Sequence, residues 1–172
     1  MQVILGIAPG LAALGYGVIV VDGPRLTLRA HGVLTTACRS ELGVGRNPTV
    51  RLGELARDFA DLSETYRPQA AALEELRYDG KAIGPALQVA NVAGMVREAL
   101  RARGVTTTEY SARDIKLAVA GDANASEAEV EAAVQRHLRL RAVPRPTHAA
   151  GALAAAIAHT VHLPRIAEEA AR

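Results

Sequence analysis

The sequence predicts an α/β protein built on a mixed five-stranded sheet, with its first three strands antiparallel and helices on both faces. Two features of the chain lead there. Residues 2–36 hold three apolar or alternating runs separated by short turns, and antiparallel strands can follow one another through connections this tight. From residue 48 onward, segments with apolar residues at helical spacing bracket two further short strands, the order in which helices cross over and cover a sheet.

Taken in order, residues 2–8 and roughly 15–21 read as strands rich in Val and Ile, joined by a turn through Pro9 and Gly10. A third strand over 26–36 places Leu26, Leu28 and Ala30 on one face. The stretch "RSELGVGRNPTV" is a loop, and Pro48 sits where a helix start tolerates a missing N–H. Val50, Leu52, Leu55, Ala56, Phe59 and Leu62 then mark a helix. A short buried strand runs from Ala70 to Leu76, followed by a helix from about Pro85 to Arg103 with Val89, Val92, Ala93, Val96 and Leu100 on its apolar stripe. "VTTTEYS" is the fifth strand. Ser111 caps a short helix with Asp114 at its third position, and Gly121 closes it. "SEAE" at 126–129 is a capping box for a helix ending near Arg139. After the linker "RAVPRPT", the last helix runs from about Thr147 to His162, with a loosely ordered tail expected from about residue 164.

The 172 residues, 49% hydrophobic and 22% charged, fit a single globular domain and exclude a disordered chain. No apolar run reaches the ~18 residues that span a bilayer, and the N-terminus lacks the pattern of a secretory signal. Cys38 is the single cysteine, so no internal disulfide forms, and a cytoplasmic location is expected. Net charge is +2, with a pI of about 9.0. No acid occurs between Glu131 and Glu168, while Arg136, Arg139, Arg141, Arg145 and Arg165 all fall there. A basic segment of this kind suits contact with phosphates.

The first turn poses a question. Its strand delivers one side chain to a glycine-containing turn, and that residue is Ala8, which has no reactive group. In open α/β sheets ligands bind at the carboxyl ends of strands. Ala8, the pair Glu74–Glu75 and the helix start at Thr147–His148 are placed to meet there. On that helix His148 and Gly151 share a face, whereas on a strand Glu74 and Glu75 point to opposite faces, so one of them enters the site and the other meets solvent.

Four stretches, "ILGIAPGLAALGYGVI", "RPQAAALEEL", "EYSARDIKLAVAG" and "THAAGALAAAIAH", then make the chain resemble the RuvC family of Holliday junction resolvases, bacterial crossover junction endodeoxyribonucleases of the ribonuclease H-like superfamily. The match follows the family's order and spacing over nearly the whole chain. The resemblance implies a ribonuclease H-like sheet and a metal-dependent endonuclease of recombination and DNA repair. In such a site carboxylates hold two Mg²⁺ or Mn²⁺ ions about 4 Å apart, one activating water and the other stabilising the leaving oxygen. The family's catalytic and metal-binding positions fall on Ala8, Glu74, His148 and Gly151. Aspartates expected at Ala8 and Gly151 are absent, and no replacement acid occurs before Asp22 or between 132 and 167. The turn is thus one that holds a metal-binding aspartate in the family, and the chain is expected to be an inactivated resolvase or, alternatively, a natural non-cleaving junction-binding paralogue. An actin-like ATP-binding domain opens with a similar turn, but no second phosphate loop follows.

The resemblance further assigns DNA contact to Lys116, Lys81 and Arg113, and places Arg77 or Tyr78 where the family carries a junction-wedging aromatic. It implies a homodimer on four-way junction DNA and a RuvA–RuvB branch-migration partnership. Gly10 and Gly15 read as backbone geometry, and His159 and His162, late on the last helix, as surface residues.

Overall fold

A computed structural model describes residues 1–36, 47–76, 80 and 82–170. β1 (Gln2–Ala8) pairs antiparallel with β2 (Ala13–Asp22), and β2 pairs antiparallel with β3 (Arg25–Thr35). On the other side of β1, β4 (Ala70–Glu74) and β5 (Thr106–Tyr110) add in parallel, giving the order β3-β2-β1-β4-β5. This is the mixed five-stranded sheet that the sequence predicts. α1 (Pro48–Tyr66) and α2 (Ile83–Arg101) pack on one face, and α3 (Ala112–Ala120), α4 (Glu127–His137) and α5 (Thr147–Ala170) on the other.

Alternation along the central strands sorts their side chains between two cores. In β1, Ile4 joins the α5 side while Leu5 and Ile7 join the α1–α2 side. In β4, Ala72 faces α5, and Ala71 and Leu73 face away. A strand buried on both faces reads as a continuous apolar run, which is how both segments look in sequence. The same period of two carries Ala8 and Glu74 to the α5 face.

β3 departs from the expected alternation. Leu26 and Leu28 pack toward α5, but Ala30 packs into the opposite core. The β2–β3 register shifts between Val18 and Ile19, so Val18 pairs with Ala30 and Ile19 with Leu28. The extra residue, Arg29, makes a bulge that inverts the faces beyond it. The element ends also move. β4 stops at Glu74 rather than Leu76, α2 starts at Ile83, and α5 continues to Ala170, past the expected end at His162. Val50, expected in the buried stripe of α1, is 38% exposed in its first turn. The caps are as predicted: Ser111 accepts from Asp114 N, Gly121 sits at φ 80° after α3, and Ser126 with Glu129 forms a complete capping box. Cys38 lies outside the described residues.

α5 crosses the sheet in direct contact with its backbone. A Cβ on Gly6 would collide with the Ala152 carbonyl oxygen, and one on Gly15 with that of His148. These glycines and the buried alanines from Ala149 to Ala158 allow the close approach. The crossing carries the late residues of α5 over Tyr110 at the end of β5. His159, expected at the surface, is therefore only 2% exposed, and its Nδ1 lies 2.8 Å from the Tyr110 hydroxyl. His162 stacks on the Tyr110 ring, with centroids 5.3 Å apart. Among the described residues no helix is long and apolar enough to cross a membrane.

Candidate active site

At the carboxyl ends of β1 and β4 lies a cleft of about 380 Å³, walled by α3, α4 and the start of α5. Its lining includes Ala8, Glu74, His148 and Gly151, the four positions singled out in the sequence, together with Lys116. Each arrives for a local reason. Ala8 and Glu74 end strands whose alternation turns them to this face. His148 and Gly151 stand three apart on the first turns of α5. Lys116 projects from α3, whose start is set by the Ser111 cap. A Cβ at position 151 would stand 3.9 Å from the Ala8 Cβ, so the two positions without a carboxylate face each other in ordinary contact.

Glu75 leaves the strand exposed, and its backbone N–H donates to the Tyr110 carbonyl at 2.8 Å, so Glu74 alone of the pair enters the cleft. Arg113 is exposed on α3 and does not line the cleft. Arg77, Tyr78 and Lys81 lie outside the described residues.

Two acids of the cleft were not anticipated. Glu127 and Glu131 of α4 line it together with Glu74, and both lie outside the acid-free stretches around Ala8 and Gly151. Their spacing of four behind the capping box was the available signal, since it puts both on one face of a helix. What the sequence did not reveal is which way that face turns. Glu131 is 12% exposed and lies 3.5 Å from Arg145, and Arg145 Nη1 donates to the Thr147 hydroxyl at 3.4 Å. This contact ties α4 to the first residue of α5 at the rim.

Burial pushes the Glu74 carboxyl above its ordinary pKa, and the neighbouring Glu127 pushes it further, while His148 and Lys116 pull it back. Glu74 is thus a partly desolvated acid between two basic groups and a second acid. The donor set does not suit a two-ion centre. Ala8 presents a methyl group, Gly151 has no side chain, and among the described residues no three His, Cys, Asp or Glu side chains form a group that could hold a metal ion. A pair of Mg²⁺ ions demands several oxygen ligands in near-octahedral geometry. The residues present can meet a phosphate with Lys116 and His148.

Comparison with known proteins gives a consistent result. Residues 4–159 match the family model described as crossover junction endodeoxyribonuclease RuvC. A protein of that name from Roseiflexus sp. is 40% identical over 162 residues, covering 94% of this chain and 92% of the relative. One from Rubrobacter xylanophilus is 38% identical over 158 residues, covering 92% and 84%. Among solved structures, Thermus thermophilus RuvC in complex with a Holliday junction substrate superposes with a TM-score of 0.85 at 30% identity, covering 96% of both chains. The yeast mitochondrial Holliday junction resolvase Ydc2 shares the fold, with a TM-score of 0.70 at 13% identity over 96% of this chain and 80% of its own.

Proposed function

The chain belongs to the RuvC family of crossover junction endodeoxyribonucleases, and from that premise we propose that it binds four-way junction DNA in the cytoplasm without cleaving it. The observation that carries this reading is the facing pair Ala8 and Gly151, two of the four family ligand positions, neither of which offers a donor atom. Lys116, His148 and the arginine-rich segment from Arg136 to Arg145 supply the phosphate contacts. RuvA–RuvB serves as the branch-migration partner.

The protein acts as a homodimer, as two symmetric strands require. α2 supports this: Ile83 and Leu87 are 65% and 58% exposed, and Ala90 and Gly94 continue their stripe along one helix face. Leu87→Asp is expected to give a monomer in sedimentation analysis.

Incubating the protein with labelled junction and linear duplex, in Mg²⁺ or Mn²⁺, tests the reading. The expected result is tighter binding to the junction and no nicks. Joint Ala8→Asp and Gly151→Asp substitution returns two oxygen donors beside Glu74 and His148 and is expected to produce symmetric divalent-dependent nicking. Either change alone recovers little, because residues that share ions act as a unit. Symmetric nicking by the unaltered chain would overturn the proposal and direct attention to Glu127 and Glu131.

A further inference from the structure

The second half of α5 carries a polar cluster that the cleft does not use. Tyr110, at the end of β5, is 7% exposed. Its hydroxyl lies 2.8 Å from His159 Nδ1, with the two rings edge to face at 5.9 Å. His162, one turn later, stacks on the same ring. Nε2 of His159 and Nε2 of His162 are both buried and have no hydrogen-bond partner. Two imidazoles on one helix face, each with an unpaired buried nitrogen, are costly to keep unless something requires them, since an orphaned buried polar atom loses its hydration without compensation.

We propose that Tyr110, His159 and His162 form a proton-operated latch, in which protonation of the imidazoles releases the 159–162 segment of α5 from β5. With both rings neutral, the Tyr110 hydroxyl and His159 Nδ1 share one hydrogen, whose direction is set by the tautomer. A proton added to either ring places a cation where the neighbouring group is a second imidazole rather than an acid. The other elements facing this part of α5 contribute apolar side chains to the shared core: Ile115 and Val119 from α3, Ala133, Val134 and Leu138 from α4, Ile4 from β1, Ile19 from β2, Leu26 and Leu28 from β3, and Ala72 from β4. His137 of α4 directs its Nε2 to the Val119 carbonyl instead, at 3.0 Å. His31 of β3 pairs with Gly17, which packs on Leu153, earlier in α5. Among the described residues no carboxylate hydrogen-bonds to Tyr110, His159 or His162.

Burial, and next the neighbouring His162, hold His159 below the ordinary histidine pKa. The unfolded or undocked chain therefore takes up a proton at higher pH than the docked one. Docking is fully retained above the ordinary histidine range and weakens as pH falls through it, by about tenfold in the opening equilibrium per pH unit for each proton taken up on opening.

Histidine-selective NMR titration of the unaltered protein tests the latch, together with hydrogen exchange corrected for intrinsic pH effects. The expected result is that His159 stays neutral below the ordinary range, and that exchange at 155–162 and in β5 rises about tenfold per unit there while β2 stays protected. Titration of His159 at the ordinary histidine value, or uniform exchange across the sheet, would overturn it. His159→Gln retains a partner for Tyr110 but cannot take up the proton, so it is expected to flatten the pH dependence of opening. Should that variant not fold, His162→Gln and the titration of the unaltered protein still decide the matter.

Discussion

The first turn and the middle of α5 carry histidines in opposite settings. His148, in the first turn, is exposed and borders a cleft shared with Glu74 and Lys116. His159, three turns on, is 2% exposed and meets a tyrosine and another histidine. One residue type on one helix thus lines an open cleft and makes a core contact closed to water. The difference comes from how the helix lies on the sheet. It starts over β2 at Gly15, passes over Gly6 of β1, and reaches β5 at Tyr110. Its start overhangs the strand ends, and its residues from Ala152 to His159 are buried between the sheet and α3–α4.

The comparison can be broken most severely at the point both settings share. Gly6→Ala forces a methyl group against the Ala152 carbonyl, and the backbone cannot yield without lifting α5. We expect a loss of about 3 kcal/mol in urea unfolding, with junction binding and the His159 environment disturbed together. If Gly6→Ala leaves stability unchanged, α5 does not lie as described.

Tyr110→Phe separates the two settings. It removes the partner of His159 Nδ1 in a buried setting and is expected to cost about 1–2 kcal/mol, read by thermal melting at neutral pH. Junction affinity under the same conditions should be unchanged, because Tyr110, although it pairs with Glu74 in the sheet, does not line the cleft.

The cleft responds to salt instead. Junction binding should weaken steeply as ionic strength rises, and Lys116→Ala should reduce the slope of log affinity against log salt by about one while leaving the melting temperature nearly unaltered. A flat salt dependence would remove the electrostatic contrast between the two settings.

The smallest effect is expected at Glu74. Its folded-state pKa is raised by burial, so the folded form holds its proton more tightly than the unfolded chain. That contribution is fully present below the ordinary carboxylate pKa and is lost as pH rises through the raised value. Glu74→Gln should therefore be slightly more stable than the unaltered protein at neutral pH and should lose the advantage on acidification, measured by melting across that window. His159 has the reverse sign, with stability lost as pH falls.

Local patterns determined much of this molecule. The alternation and continuity of apolar residues in 2–8 and 70–74 identify strands buried on two faces, the Ser111 and Ser126 caps mark where α3 and α4 begin, and spacing alone puts His148 and Gly151 on one helical face. These depend on neighbours a few residues apart, so they are legible in the chain. Through the family resemblance, they also identify Ala8, Glu74, His148 and Gly151 as one site. Tertiary structure decided the rest. The bulge at Arg29 depends on how β3 pairs with β2, and it turned Ala30 to the other core. The azimuth of α4 about its own axis brought Glu127 and Glu131 into the cleft, and the crossing of α5 buried His159 against β5. Register, azimuth and crossing direction are set by contacts between residues far apart in sequence, which no local period encodes.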